Sequence, residues 1–378
     1  MNARRLRELA VVFLKLGTIG FGGPAAHVAL MEDEVVRRRG WITRDAFLDL
    51  VGATNLIPGP NSTELAIHLG RLRAGMPGLL LAGAAFILPA FAIVCGVAWV
   101  YVRAGTLPAV ITVFRGVTPV MLAIVVQALV KLARTAVRTR LLAAAAILAF
   151  TAALARPLDE LAILFAAGIG AGLIAWLRAR TTAVNGGAAL IAPGFLAQAG
   201  TALMPAFVSP ASLFLVFLKP GALLFGSGYV LLAFLRADLV QRLGWLTDAQ
   251  LLDAIVVGQI TPGPVFTTAT FIGYLLGGLT GAVAATAGIF LPAFVFVAIS
   301  APVLPMLRRS RLAGAMLDGV NVASLALMAA VTVTLARTTL VSPGAVIIGV
   351  ASLVLLLRFS ISPTLLIAAA AALAWLWY

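Results

Sequence analysis

One half of this 378-residue chain reads as a copy of the other. A shift of 204 positions lays Phe13-Leu14-Lys15-x-Gly17 on Phe217-Leu218-Lys219-x-Gly221 and Phe21-Gly22 on Phe225-Gly226. Without a gap it also lays Gly40-Trp41-x-Thr43 on Gly244-Trp245-x-Thr247, Asp49 on Asp253, and Pro58-Gly59-Pro60 on Pro262-Gly263-Pro264. A shift of 203 pairs Pro89-Ala90-Phe91 with Pro292-Ala293-Phe294, and Arg115-Gly116-Val117 with Asp318-Gly319-Val320. Several uncommon motifs in one register define a tandem repeat. The first copy occupies residues 1–180, the second 210–378, and a linking transmembrane helix lies within 181–209, where Gly187–Val208 is apolar.

Each copy is too apolar to be a soluble domain. Hydrophobic residues make up 62% of the chain and charged residues 11%, against about half and a quarter in soluble domains. Disorder is excluded on the same ground. Cys95 is the only cysteine, which excludes a disulfide framework or a thiolate metal site. Apolar runs suited to crossing a membrane are Met76–Val102, Leu107–Val130, Leu141–Ala155, Leu161–Leu177, Gly187–Val208, Leu279–Leu304, Leu312–Ala336, Leu340–Leu357 and Ile361–Trp377. Two segments per copy are interrupted instead. In the first copy the breaks are Gly20-Phe21-Gly22-Gly23-Pro24 and Pro58-Gly59-Pro60. Proline removes a backbone donor and glycine permits positive φ, so helices stop there. Each arm around Pro58–Pro60 has about a dozen residues, or about 18 Å of helix, too short for a ~30 Å hydrocarbon core. The expected fold is an all-α polytopic membrane protein with two inverted-topology repeats and broken or re-entrant helices. Whether the broken segments are hairpins or full spans is left open by the pattern.

An odd number of crossings separates corresponding elements in either case, which inverts the repeats. The formal charge of +14 supports this placement. Arg4, Arg5, Arg7, Arg37, Arg38, Arg39, Arg71, Arg73, Lys131, Arg134, Arg138, Arg140, Arg178, Arg180, Arg308, Arg309 and Arg311 lie in short loops between apolar stretches. This is the positive-inside pattern, with the N-terminus cytoplasmic and the C-terminus periplasmic. A nucleic-acid groove would gather such charges on one soluble face, so no nucleic-acid partner is expected. Lys15 and the glycines interrupt the first apolar run, which is therefore read as retained rather than as a signal peptide.

Inverted repeats with helices broken inside the membrane are the build of secondary transporters. A helix starting there presents backbone N–H groups and the positive end of its dipole, which suit an anion. Asn61, Ser62 and Thr63 follow one break; Thr267 and Thr268 follow its mate. Gly22 and Gly23, with Gly226, Ser227 and Gly228, allow a ligand close to the backbone. Lys15 and Lys219 are equivalent cations that would approach a shared site from opposite sides, or else snorkel to an interface. A lysine at the bilayer centre costs about 2.5–3.5 kcal/mol and so normally has a partner or a task. Arg115 either coordinates the anion or pairs with its counterpart Asp318. Among embedded acids and imidazoles, Glu64 and His68 are four residues apart on one helical face and, with His27, form a candidate proton relay. Glu64 is equally placed to close a capping box with Asn61, the reading favoured on spacing. Asp49 and Asp253 are read as positioning residues. There is no His-Glu-x-x-His, Gly-x-Ser-x-Gly or phosphate loop, and two histidines do not complete a usual metal site. No catalytic residue, metal or cofactor is expected. Gly168-x-x-x-Gly172 is a helix-packing signal.

The motifs Phe-Leu-Lys-x-Gly…Phe-Gly-Gly-Pro, Arg-Arg-Arg-Gly-Trp, Asn-Leu-Ile-Pro-Gly-Pro-Asn-Ser-Thr-Glu and Phe-Ile-Leu-Pro-Ala-Phe resemble those of the chromate ion transporter family. So do their mates Phe-Gly-Ser-Gly-Tyr, Gly-Gln-Ile-Thr-Pro-Gly-Pro-Val-Phe-Thr-Thr and Ile-Phe-Leu-Pro-Ala-Phe in the second copy. The resemblance covers the whole chain and matches the long, two-domain members; Ser227 stands where a further glycine is expected. It implies secondary transport of chromate out of the bacterial cytoplasm through the inner membrane, conferring chromate resistance, with sulfate as the isosteric competitor. The motif residues to which this carries over are Lys15, Gly22, Gly23, Pro24, Arg38, Gly40, Trp41, Pro58, Gly59, Pro60, Asn61 and their mates. The expectation is alternating access between the two halves, with a sulfate or other oxyanion carrier, or an anion channel, as alternatives. The lipid bilayer and a second copy of the chain in a homodimer complete the expected partners.

Overall fold

The computed structural model describes residues 3–21, 23–54, 57–104, 108–155, 160–182, 208–224, 230–307, 311–359, 361 and 363–376. The linking helix expected within 181–209 falls almost wholly outside them. Every regular element among the described residues is helical.

Helix α1, Ala3–Ile19, buries Leu9, Val12, Phe13, Leu16 and Gly17. That is one helical stripe, and the opposite face carries the charges. The helix stops at Gly20. Helix α2, Gly23–Glu32, begins on a glycine with φ +79° and continues through a π-helical turn, Asp33–Arg38. Three contacts fold α2 back along α1: Arg39 to Glu8 at 2.9 Å, Lys15 to Glu34 at 3.1 Å, and His27 to the Gly20 carbonyl at 2.8 Å.

Helix α3, Arg44–Thr54, leads into the Pro58-Gly59-Pro60 break, and α4, Asn61–Ala104, leaves it. Helix α4 reverses direction at Ala74 (φ −146°) and Gly75 (φ +65°). A Cβ on Gly70 would lie 2.3 Å from the Gly78 carbonyl oxygen. Eight residues of straight helix would separate these glycines by about 12 Å. The first arm, residues 61–73, is therefore a separate helix of about 20 Å, shorter than a hydrocarbon core. Its far end returns to its origin. Arg39 and Arg73 both bind Glu8, at 2.9 and 3.0 Å, and the Arg73 guanidinium lies 5.0 Å from the Trp41 ring centre. The broken segment thus folds back on itself as a helical hairpin.

The second copy repeats the plan with α8 (Pro210–Leu223), α9 (Leu231–Leu235) and its π turn (Arg236–Arg242), α10 (Asp248–Ile260) and α11 (Thr268–Leu307). Helix α11 reverses at Gly277 and Gly278, where a Cβ on Gly273 would lie 2.4 Å from the Gly281 oxygen. The Glu32–Arg44 ion pair of the first copy, 3.3 Å, recurs at the mated positions with signs exchanged, as Arg236–Asp248 at 2.8 Å.

The remaining helices interleave the copies. Helices α5 (Pro108–Ala136), α6 (Arg140–Ala155) and α7 (Glu160–Thr182) correspond to α12 (Arg311–Thr339), α13 (Pro343–Arg358) and α14 (Pro363–Leu376). Helix α5 packs on α13 and α14, while α12 packs on α6 and α7. Gly168 and Gly172 admit α12, since Cβ atoms there would meet Val320 Cγ2 at 2.7 Å and Met316 Cγ at 2.5 Å. Gly116 lies against Ala374, and its mate Gly319 against the Ala167 carbonyl. Two layers of mixed parentage result: the hairpins with α4 and α11, and the set α5–α7 with α12–α14.

Among the described residues, four helices are long and apolar enough to cross a membrane: Asn61–Ala104, Gly116–Arg134, Val265–Ser300 and Gly314–Thr339. The apolar stretches of α6, α7, α8, α13 and α14 are shorter. Leu80, Ile147, Leu148, Ile169, Leu215, Ile299, Ile347 and Leu365 face outward and are more than half exposed. So much outward apolar surface fits a lipid solvent rather than water. The chain is an all-α polytopic membrane protein.

Candidate functional site

The hairpin tips of one copy meet those of the other. The Gly59 amide donates to the Leu224 carbonyl at 2.8 Å, and the Gly263 amide donates to the Gly20 carbonyl at 2.9 Å. Gly263 is the mate of Gly59 and Leu224 the mate of Gly20, so the two bonds are one bond seen twice across a pseudo-two-fold axis. Gly59 has φ +139° and Gly263 φ +94°, which L side chains rarely adopt. Beside the tips, helices touch backbone to backbone. A Cβ on Gly17 would lie 2.4 Å from the Phe86 oxygen, and one on Gly221 2.4 Å from the Ile289 oxygen. The repeated Phe-Leu-Lys-x-Gly, Pro-Gly-Pro and Pro-Ala-Phe motifs thus serve a single junction.

Two helices start at this junction. The Pro60 carbonyl accepts from the amides of Thr63 at 2.7 Å and Glu64 at 3.0 Å, closing the first turn of α4. Ser62 to Gly70 are all buried. Glu64 is completely buried, and neither carboxyl oxygen has a hydrogen-bond partner. A Cβ on Gly59 would lie 2.4 Å from Glu64 Oε1, so the carboxyl lies over the break. This corrects the capping-box reading: the side chain turns toward Gly59 instead of reaching back to the Asn61 amide. Thr63 Oγ is buried without a partner. Its mate Thr267 donates to the Pro264 carbonyl at 2.8 Å, and Thr268, the mate of Glu64, donates to the Val265 carbonyl at 2.8 Å. Both expected hydroxyl ligands of the second copy therefore have their hydrogen engaged by their own backbone. His68 lies one turn beyond Glu64, with its Nε2 buried and unpartnered. His27 Nε2 is bonded to the Gly20 carbonyl and the ring meets Phe86 edge-on at 5.4 Å, which pins the first tip.

The expected cations are arranged differently. Lys15 and Lys219 each bind an acid of their own copy, Glu34 at 3.1 Å and Asp238 at 3.0 Å. Both acids are nearly buried on the π turns and take further cations from just beyond them: Glu34 accepts from Arg39 Nε at 2.8 Å with Arg38 at 4.0 Å, and Asp238 pairs with Arg242 at 3.1 Å. Glu34 and Asp238 were visible in the repeat register, each 19 residues beyond its lysine, and reading the cations alone passed over them. Helix α5 carries Arg115, whose side chain lies outside the described residues, as do Gly22, Gly226, Ser227 and Gly228; Asp318 is exposed. Tyr101 donates to Asp253 at 2.7 Å, tying α4 to α10. Arg71, counted among the loop cations in the sequence, instead lies within α4 and donates to the Val297 and Ala298 carbonyls of α11. Pro302 has no N–H to offer the Ala298 carbonyl, so the guanidinium replaces a missing helical bond.

Removing either buried acid leaves its lysine and the neighbouring arginines without their shared counter-charge. Asp238→Ala and Glu34→Ala are each expected to lower stability by about 1–3 kcal/mol, less than a fully buried pair because the lysines remain partly solvated. Thermal unfolding in detergent measures this, and melting at the wild-type temperature would count against the assignment.

Half-length hairpins that meet tip to tip inside a helical membrane protein are the construction of carriers built on broken helices. The chain belongs to the chromate transporter family: the family profile described as Chromate transporter matches residues 7–176 and 211–375, one region in each copy. It is 35% identical to a chromate transport protein of Cupriavidus metallidurans over 97% of this chain and 92% of the relative. A chromate transport protein of Pseudomonas aeruginosa is 36% identical over 88% and 81%. A probable chromate transport protein of Synechococcus elongatus is 32% identical over 93% and 90%. No solved structure matches.

Proposed function

We propose that the protein is a secondary transporter that exports chromate through the bacterial inner membrane by alternating access and so confers chromate resistance. The reading rests on one observation, the junction of four hairpin tips at which two helices begin among buried polar groups. A tetrahedral dianion needs several convergent donors. The α4 N-terminus offers its dipole with Asn61, Ser62 and Thr63; the α11 N-terminus faces it across the pseudo-two-fold, with the copies in opposite orientations and the chain's N-terminus inside. Relatives named as chromate transport proteins supply the ion, and sulfate is the natural competitor. Lys15 and Lys219, held by their acids, are assigned to drawing anions toward the hairpins rather than to the junction itself. The interleaved packing makes the moving bodies the two mixed layers, not the two halves of the sequence, because separating the halves would break both sets of reciprocal contacts.

In proteoliposomes the purified protein should transport chromate saturably, with inhibition by sulfate; flux that does not saturate would indicate a channel and defeat the carrier reading. Thr63→Val should raise the apparent KM about tenfold or more, the value of a hydrogen bond to a charged group. Thr267→Val should change it far less, because that hydroxyl is already engaged. Equal effects of the two substitutions would remove Thr63 from the site.

A further inference from the structure

We infer that the protein holds a second oxyanion site, built from His68, Arg71 and Ser300 at the far end of the first-copy hairpin arm. The inference builds on the anion transport proposed above but not on the junction of the tips. Arg71 lies about 16 Å of helix beyond Pro60, so the two places are separate. A guanidinium stays ionised, and within a membrane protein its charge calls for a partner. Neighbouring arginines have one: Arg38 binds Asp33, Arg39 and Arg73 bind Glu8, and Arg44 binds Glu32. Among the described residues no carboxylate pairs with Arg71. Its Nη1 donates instead to the Val297 carbonyl at 2.9 Å and to the Ala298 carbonyl. Those bonds use the hydrogens of one nitrogen. They leave the edge formed by Nε and Nη2, the pair of parallel donors with which a guanidinium grips an oxyanion.

Two more polar groups stand beside this edge without partners. His68 is 3% exposed, lies one turn before Arg71 on the same helical face, and has a buried, unbonded Nε2. Ser300 lies one turn beyond Val297, and its Oγ is buried and unbonded as well. A helical carbonyl points along the axis toward the following turn, so a group held by the Val297 oxygen sits next to Ser300. Ile67 and Val297 pack together one turn nearer the tips and fix this register. Capping of α11 explains one nitrogen of Arg71 and neither of these groups. With its hydrogen on Nε2, His68 adds one donor and the Ser300 hydroxyl another. One positive charge, a guanidinium edge, an imidazole N–H and a hydroxyl, with no acid among the described residues, select an anion with several acceptor oxygens.

The site belongs to one copy. Gly70 and Gly75 at the first reversal match Gly273 and Gly278 at the second, a shift of 203. That shift lays His68 on Phe271, Arg71 on Tyr274 and Ser300 on Val97. The imidazole, cation and hydroxyl are thus replaced by a phenyl ring, a phenol and an aliphatic side chain. The end of the arm that carries Arg71 lies beside Glu8 of α1, which Arg73 binds at 3.0 Å. With the copies inverted, the site therefore serves one side of the membrane, the cytoplasmic side in the topology proposed above. There it takes the anion before the anion reaches the junction.

Equilibrium dialysis of the purified protein in detergent against chromate tests this. The wild type should bind about two chromates per chain and Arg71→Gln about one, a site for each set of donors. His68→Leu and Ser300→Ala leave the Arg71 bonds to α11 in place. Each should weaken one of the two sites about tenfold, the value of a hydrogen bond to a charged group. Neither should lower the melting temperature, because each removes a buried polar atom that has no partner. A lower melting temperature with unchanged binding would make both residues structural and overturn the inference. Thr63→Val should weaken the other site and spare this one. A single chromate per wild-type chain, lost in Thr63→Val and kept in Arg71→Gln, overturns the inference and leaves the junction standing. A single chromate lost in Arg71→Gln and kept in Thr63→Val upholds it and removes the junction as the anion site. If the wild type binds no chromate, both fall. Should Arg71→Gln fail to fold, the His68 and Ser300 variants decide.

Discussion

A single methyl group at Gly263 is expected to abolish chromate transport. Its φ of +94° lies where L side chains are strained, a cost of about 1–3 kcal/mol. The added Cβ would lie 2.5 Å from Ala90 Cβ and 3.3 Å from the Gly17 carbonyl oxygen. Both neighbours belong to tightly packed helices, so relief requires moving a helix and adds about 1–3 kcal/mol. Any such movement stretches the Gly263–Gly20 bond that joins the two copies. Gly59→Ala makes an informative contrast, because the atom it meets is the carboxyl end of Glu64, which can rotate. It should remain better folded than Gly263→Ala while losing chromate flux. Thermal unfolding in detergent and flux in proteoliposomes measure both variants; Gly263→Ala that melts and transports like the wild type would disprove the junction as a functional element.

Much of this architecture was legible in the residues, and the rest was hidden for identifiable reasons. Gly, Pro and Lys recurring in one register disclosed the repeat and the places where helices stop. Hydrophobic run length could not separate hairpins from spans, because a dozen apolar residues reads alike in either. The decisive contacts, Glu8 with Arg39 and Arg73, join positions 31 and 65 residues apart. The interleaving of α5 with α13 and α14 was equally invisible, since lipid-facing and helix-facing surfaces are both apolar. The lysines show how burial arguments mislead when only one sign is read. A cation inside an apolar run demanded a partner, and that partner stood on a π turn whose local sequence, Asp33 to Arg38, resembles an ordinary charged loop. Glu64 was the reverse case. The Asn61-x-x-Glu64 spacing fits a capping box, but the orientation of the side chain over Gly59 is set by tertiary packing at a proline-flanked break.

The second large effect is expected where the half-length helices double back. Gly78→Ala would place its Cβ 2.2 Å from the Gly70 carbonyl oxygen, and Gly281→Ala would place its Cβ 2.2 Å from the Gly273 oxygen. Real Cβ atoms do not approach oxygen so closely, and here the oxygen is backbone. The two arms must separate, which also withdraws the Thr270 and Thr286 hydroxyls from their 2.7 Å contact across the second reversal. Each substitution should cost about 3 kcal/mol or more, at the upper end of overpacking effects, because no side chain can rotate away. The expected result is a large fall in monodisperse yield and melting temperature rather than a selective loss of chromate binding. Gly96→Ala, on the long arm of α4 with open space around its Cβ, is the matched control and should be neutral or slightly stabilising through helix propensity. The prediction separates two uses of glycine in one helix. At Gly78 the missing side chain lets the chain return on itself and so sets the depth at which Pro58-Gly59-Pro60 sits; at Gly96 it makes no contact. Equal yields and melting temperatures for Gly78→Ala and Gly96→Ala would show that the reversal tolerates a wider gap, and the depth of the hairpin tips would then have to be set by the tip-to-tip hydrogen bonds alone.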